Sequence, residues 1–133
     1  MNAEEEFQLP LNPEVDHPAT IGARADYCML HYQPYRRKDF NLHQFSVITN
    51  IPASNLETWF DQTGRPFDRY LDEWRVKYAK MLITNGKVRN MEIGTIGSLS
   101  GFSSARKFTA AYTQIEGISP ETYQFQINIS KSL

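Results

Sequence analysis

Residues 46–70 read SVITNIPASNLETWFDQTGRPFDRY, and residues 97–123 read GSLSGFSSARKFTAAYTQIEGISPETY. Laid over one another they place Ser46, Asn50, Leu56, Phe60, Gly64 and Tyr70 on Gly97, Gly101, Phe108, Tyr112, Gly117 and Tyr123, at an offset that drifts from 51 to 53. Each shared position has a mechanical purpose. The small residue (Ser46, Gly97) lets a following helix cross closely. The residue four places on (Asn50, Gly101) tolerates positive φ, which a tight turn between helices needs. Apolar residues four apart then anchor a second helix by one face, and a glycine ends it. That order is the spacing of a helix-turn-helix, whose second helix can lie in a DNA major groove.

Outward from the repeat, the periodicity stays helical. Ile21, Ala25, Cys28, Met29 and Tyr32 form a stripe that stops before Pro34. Leu42, Phe45 and Ile48 predict a short helix capped by Asp39 or Asn41. Ser54 to Phe60 forms the next helix. Pro66 suits the first turn of a long one whose apolar face, from Phe67 to Leu82, runs to a stop at Asn85-Gly86. Ile93 to Leu99 is another. Ser103 is placed to cap a helix carrying Phe108, Ala111 and Tyr112, and Ser119-Pro120 opens the last. No stretch alternates with period two for long, so the expected fold is all-α, with about seven helices. They form two helix-turn-helix subdomains, about 36–65 and 89–127, joined by a linker helix at about 66–85. At about 1.5 Å per residue that connector spans roughly 27 Å, which with the flanking helices suits two reading heads about 34 Å apart on B-DNA.

Charge is unevenly placed. The 133 residues carry 14 Lys+Arg against 15 Asp+Glu, a net of −1. Residues 1–33 net −5 and residues 34–133 net +4, so the near-neutral total hides a mildly basic body. Residues 1–18, with three prolines and no helical period, read as an acidic arm ahead of a domain at 19–133. No apolar run reaches the roughly 20 residues of a membrane span. The single Cys28 excludes an internal disulfide, and burial on a helix face is its expected state. His17, His31 and His43 lack metal-ligand spacing, and no catalytic constellation is present. An enzyme, a metal site and a cofactor are therefore not expected. Trp59 and Trp74 read as core anchors.

The run from Tyr70 to Leu82 (YLDEWRVKYAKML) resembles the linker-helix signature of AraC-type transcription regulators. The run from Ile96, with Phe108, Tyr112, Gly117, Ser119-Pro120 and Tyr123, is similar to that family's second helix-turn-helix and its closing motif. The resemblance covers about residues 36–124. It implies a seven-helix DNA-binding domain that inserts two recognition helices into successive major grooves. Double-stranded DNA is the implied partner and the cytoplasm, on the nucleoid, the implied location. In this family the domain is usually attached to an effector-binding or dimerisation domain, and RNA polymerase is a further implied partner. The chain is then a stand-alone head, a truncated product or a segment of a longer regulator.

The resemblance places groove-facing positions of the first head on Ser54, Glu57 and Thr58, and of the second on Ala105, Arg106, Thr109 and Ala110. Arg106 is the best base reader, since a guanidinium bonds guanine O6 and N7 together. Candidate phosphate partners are Arg36, Arg37, Lys38, Lys87, Arg89, Ser103, Ser104 and Lys107. An arginine is frequent in the family where Thr58 and Ala110 stand, and a lysine where Asp61 stands. From Ser46 to Gly64 there is no Lys or Arg, but there are Glu57 and Asp61. The first head is thus electrostatically poor for DNA. The alternative is a degenerate helix-turn-helix acting as a protein–protein interaction module, with weak DNA binding or none. Arg75, among apolar residues of the linker helix, is expected to hold structure by pairing with Asp72 or a helix end.

Overall fold

A computed structural model describes residues 21–85 and 90–132. Among the described residues there are seven α-helices and no strand. They are α1 (Ile21–Tyr32), α2 (Leu42–Thr49), α3 (Ala53–Thr63), α4 (Phe67–Thr84), α5 (Ile93–Leu99), α6 (Ala105–Glu116) and α7 (Pro120–Ser132), with a 3-10 turn at Pro34–Arg36. The acidic arm, Lys87 and Arg89 lie outside the described residues.

The described residues divide into two compact units. One holds 21–34 and 39–70, the other 35–38, 71–85 and 90–132. The long helix α4 supplies residues to both.

In the first unit α1, α2 and α3 pack on each other. Ala25, Cys28, Met29, Phe45, Ile48, Leu56 and Phe60 point inward and are buried. Phe40, Phe45, Phe60, Phe67 and Tyr70 form an aromatic cluster with ring centroids 5.3 to 6.1 Å apart. Asn41 is the residue that caps α2. Its side chain accepts from the Gln44 amide while Gln44 Oε1 accepts from the Asn41 amide, a complete capping box. Trp59 is half-buried at the rim, not in the core. It lies against Gly22, where an added Cβ would come within 3.1 Å of the indole.

In the second unit Val76, Ala79 and Ile83 of α4 bury against Ile96, Phe102, Phe108, Ala111 and Tyr112. Tyr123 and Ile127 of α7 close the same core. Trp74 is again half-buried, with the Lys77 ammonium 4.4 Å from its ring centre. At the far end of α4, Lys80 pairs with Glu116 at 2.7 Å, and the Thr84 hydroxyl shares a hydrogen bond with that of Tyr123 at 3.0 Å.

Candidate nucleic-acid interface

The two turns repeat atom by atom. Asn50 (φ 56°) and Gly101 (φ 107°) are both left-handed, as their alignment requires. The amide of Ile51 donates to Ser46 O at 3.2 Å, and that of Phe102 to Gly97 O at 3.0 Å. A second pair went unread in the sequence. The Thr49 hydroxyl donates to Phe45 O and the Ser100 hydroxyl to Ile96 O, each at 2.7 Å and each buried. These residues stand 51 apart, so the repeat offset itself was the signal. Gly64 (φ 67°) and Gly117 (φ 82°) end the two second helices in the left-handed region.

Close crossing in the second head depends on the small residue expected there. A Cβ on Gly97 would sit 2.7 Å from the Phe108 ring. In the first head Ser46 keeps its side chain and uses it, donating to Ile51 O at 2.6 Å. Each turn is also held by an arginine from an earlier element. Arg24 Nε donates to Thr49 O at 2.6 Å in the buried first turn, and Arg36 Nε donates to Leu99 O at 3.1 Å in the second. Burial holds the Arg24 pKa below the ordinary arginine range. No sequence pattern announces either bond, because the acceptor is a backbone carbonyl 25 or 63 positions away.

On α6 the buried face is Phe108, Ala111 and Tyr112. The opposite face carries Ala105, Arg106, Thr109, Ala110, Thr113 and Gln114, which together line a shallow open depression. Four of these are the expected groove-facing positions; Thr113 and Gln114 extend the face by one more turn, as continuing the i+3/i+4 pattern from Ala110 shows. Arg106 is exposed and makes no hydrogen bond or ion pair among the described residues. The helix cap is Ser104 rather than Ser103: Ser104 Oγ accepts from the Lys107 amide at 3.1 Å, and its backbone has the extended geometry of a cap. Both serines and Lys107 are exposed at that N-terminus. Accepting at Oγ leaves the Ser104 hydroxyl hydrogen available to a phosphate.

On α3 the buried residues are Leu56 and Phe60, and Ser54, Glu57, Thr58 and Asp61 fall on the outward side, all exposed. The hydroxyl of Thr58 donates to Ser54 O at 3.0 Å, which leaves it only acceptor capacity toward a base. No side chain caps α3, whose cap position is Pro52. The nearest cation in sequence, Arg65, lies with its guanidinium 4.9 Å from the Tyr70 ring centre.

The segment 35–38 belongs to the second unit. Lys38 Nζ donates to Ser98 Oγ at 2.9 Å, and the Arg36 guanidinium lies 4.4 Å from the Tyr78 ring centre. Arg75 donates from Nε to Tyr35 O at 2.7 Å and from a terminal nitrogen to Arg37 O at 3.0 Å, so it secures the 3-10 turn. Gly101 packs into the same place. A Cβ there would run into the Tyr35 carbonyl oxygen and come within 2.8 Å of Arg75 Nε. The cluster Arg36-Arg37-Lys38 is therefore not a free loop of charge; two of its cations hold α5.

Two helix-turn-helix units, with the second helix of each presenting an exposed outward face, define a helix-turn-helix protein. A family model described as a helix-turn-helix domain matches residues 46–126. The chain belongs to this AraC-type family of DNA-binding transcription regulators. It is 28% identical over 96 residues to "Probable transcriptional regulator LumQ" of Photobacterium leiognathi, a match covering 71% of this chain. The chain spans 38% of that relative's length. Among solved structures it is similar to a transcriptional regulator of Chromobacterium violaceum described as an AraC-type DNA-binding domain-containing protein. That likeness has a TM-score of 0.66 at 21% identity, over 82% of this chain and 96% of that one. It is also similar to a DNA-binding transcriptional dual regulator of Escherichia coli K-12, with a TM-score of 0.68 at 17% identity, over 91% of this chain and 98% of that one. At such identities the likeness speaks for the fold. No helix among the described residues is long and apolar enough to cross a membrane.

Proposed function

We propose that this chain is a sequence-specific DNA reader in which α6 is the principal recognition helix and α3 a weaker one, entering successive major grooves. The observation that carries the reading is Arg106. It stands exposed and uncommitted on the first turn of α6, beside Lys107, Ser103 and Ser104. A guanidinium so placed can bond guanine bidentately, while the lysine, the hydroxyls and the free amides of the helix N-terminus take phosphate. Ala105, Thr109 and Ala110 complete the base-facing surface of that head. Ser54, Glu57 and Thr58 are the corresponding positions of the first head, where Glu57 can accept from cytosine N4. Arg37, Lys87 and Arg89 are further phosphate partners, with Arg36 and Lys38 contributing whatever donors their bonds to α5 leave. The chain acts in the cytoplasm on the nucleoid, with RNA polymerase or a separate effector or dimerisation domain as further partners.

Selection of duplex DNA from a random pool by the purified chain, at low and at moderate salt, tests this. Enrichment of a guanine-containing motif that disappears with Arg106→Ala supports the reading. Uniform recovery of all sequences would sink it.

A second reading applies to the first head alone, and the acidic outward face of α3 favours it: Glu57 and Asp61 are exposed with no Lys or Arg between Ser46 and Gly64. On this reading α3 docks a protein partner. Glu57→Lys with Asp61→Lys would then weaken partner binding, whereas a DNA role makes the same pair raise nonspecific DNA affinity.

A further inference from the structure

We propose that the second recognition helix reads a thymine C5-methyl group, seated against Ala105, Thr109 and Ala110, one or two base steps from the guanine bound by Arg106. The inference rests on the DNA-reading function above and assigns its base preference. The depression on the outward face of α6 exists because two of its six lining residues are alanines, at positions 105 and 110, flanking the half-buried Thr109. Its walls are mostly carbon. Thr113, at the far side, has its hydroxyl hydrogen held by Thr109 O at 2.7 Å, so it offers no free donor there. Polar partners in the lining are confined to Arg106, Gln114 and the Thr109 hydroxyl, so a base-edge donor or acceptor seated on the Ala105 and Ala110 methyl groups would find none there, at a cost in affinity. The thymine methyl is the apolar feature of the major-groove floor, and alanine and the threonine methyl are side chains that receive it.

Spacing sets the register. Arg106 and Ala110 are four residues apart on one face, an axial separation of about 6 Å. Successive bases of one strand rise by about 3.4 Å. A helix following the groove therefore brings Ala110 over a base one to two steps from the Arg106 guanine. A long side chain at position 110 would fill the depression, so the thymine preference depends on the alanine.

The test replaces thymines one at a time by deoxyuridine, which removes the methyl group and nothing else, in the duplex that the purified chain selects. The binding constant of the whole chain is then measured for each duplex. One thymine, one or two steps from the guanine whose recognition is lost with Arg106→Ala, is expected to weaken binding about fourfold when replaced, the loss of one buried methyl group. Deoxyuridine elsewhere is expected to leave binding unchanged. Ala110→Arg, at an exposed position that leaves the fold intact by its thermal melt, is expected to abolish the sensitivity. A selected site without a thymine near that guanine overturns the inference while leaving the DNA-reading function standing. So does tolerance of deoxyuridine at every thymine, or a sensitivity that survives Ala110→Arg. Failure to select any sequence removes the function itself and the inference with it.

Discussion

The two helix-turn-helix units are built from one plan and differ in what they present. Both turn through a left-handed residue, both bond a buried hydroxyl back to a carbonyl one helical turn earlier, and both hold the turn with an arginine from elsewhere in the chain. Their interiors are governed by packing and backbone geometry, which tolerate few solutions. Their outward faces are free of that constraint, and they differ. Helix α6 shows Arg106 and Lys107 beside a serine cap, whereas α3 shows Glu57 and Asp61 behind a cap position that offers no side-chain bond. A shared scaffold thus says little about whether both heads read DNA. The charge on the exposed face is what the proposed function uses to rank them, because phosphate contacts supply a large share of affinity.

The largest difference between the units is expected at the turn. Gly101→Ala forces a Cβ against the Tyr35 carbonyl at a φ of 107°, and should destabilise the second unit by about 2–5 kcal/mol. Asn50→Gly at the matching place should leave stability within about 1 kcal/mol, because glycine adopts that geometry without strain. Chemical denaturation of both variants, with amide exchange to locate the loss, checks the pair. Equal effects would break the comparison.

Next come the arginine holds. Arg24 is 3% exposed, so Arg24→Met should cost about 1–3 kcal/mol, since the buried Thr49 carbonyl is left without that donor. Arg36→Met, at an exposed bond, should cost less than about 1 kcal/mol because water replaces the guanidinium. Urea denaturation midpoints report both, and a larger loss for Arg36→Met would reverse the assignment.

Charge reversal sharpens the contrast in function. Glu57→Lys with Asp61→Lys should raise nonspecific duplex affinity about tenfold at low salt and steepen its salt dependence. Fluorescence anisotropy on a scrambled duplex gives both numbers. Unchanged affinity would mean that α3 never approaches the phosphates.

The smallest effect near neutrality is a difference in base tolerance. Burial pushes the Cys28 thiol of the first unit from 9.0 up to about 12, and the Tyr35 phenol of the second from 10.0 up to about 12. Each folded unit disfavours the ionised form, so each contribution is complete below the unfolded value and lost as pH rises through the folded one. The first unit should begin to weaken above pH 9 and the second above pH 10, read by amide exchange or by Cys28 labelling. Simultaneous onset would contradict this.

Much of this arrangement was legible in the residues, for identifiable reasons. The helix count, the left-handed turns at Asn50 and Gly101 and the closing glycines follow from local rules, since a few neighbouring residues determine each. The outward face of α6 was legible as far as Ala110, and helical spacing extends it to Thr113 and Gln114. What escaped depends on distant partners. That Arg36 and Lys38 fasten α5 rather than standing free requires knowing that residues 98 and 99 lie beside them. Arg75 was legible as structural, but its acceptors, the carbonyls of Tyr35 and Arg37, carry no side-chain signal. The choice of Ser104 over Ser103 as cap turned on a single residue's backbone angles, and two adjacent serines hide that. Trp59 and Trp74 are half-buried, Trp59 against Phe60 and Tyr70 and Trp74 against Tyr35, and helical spacing alone does not separate such a rim position from the core.

The central claim is that the second head reads and the first assists. Its most direct test is fluorescence anisotropy of the wild-type chain and of Arg106→Ala on the selected duplex and on a scrambled one, at the same salt. Loss of a bidentate guanine contact predicts about ten- to a hundredfold weaker binding to the selected duplex, and only a small change on the scrambled one. Equal affinity of the two proteins for the selected duplex would contradict the claim.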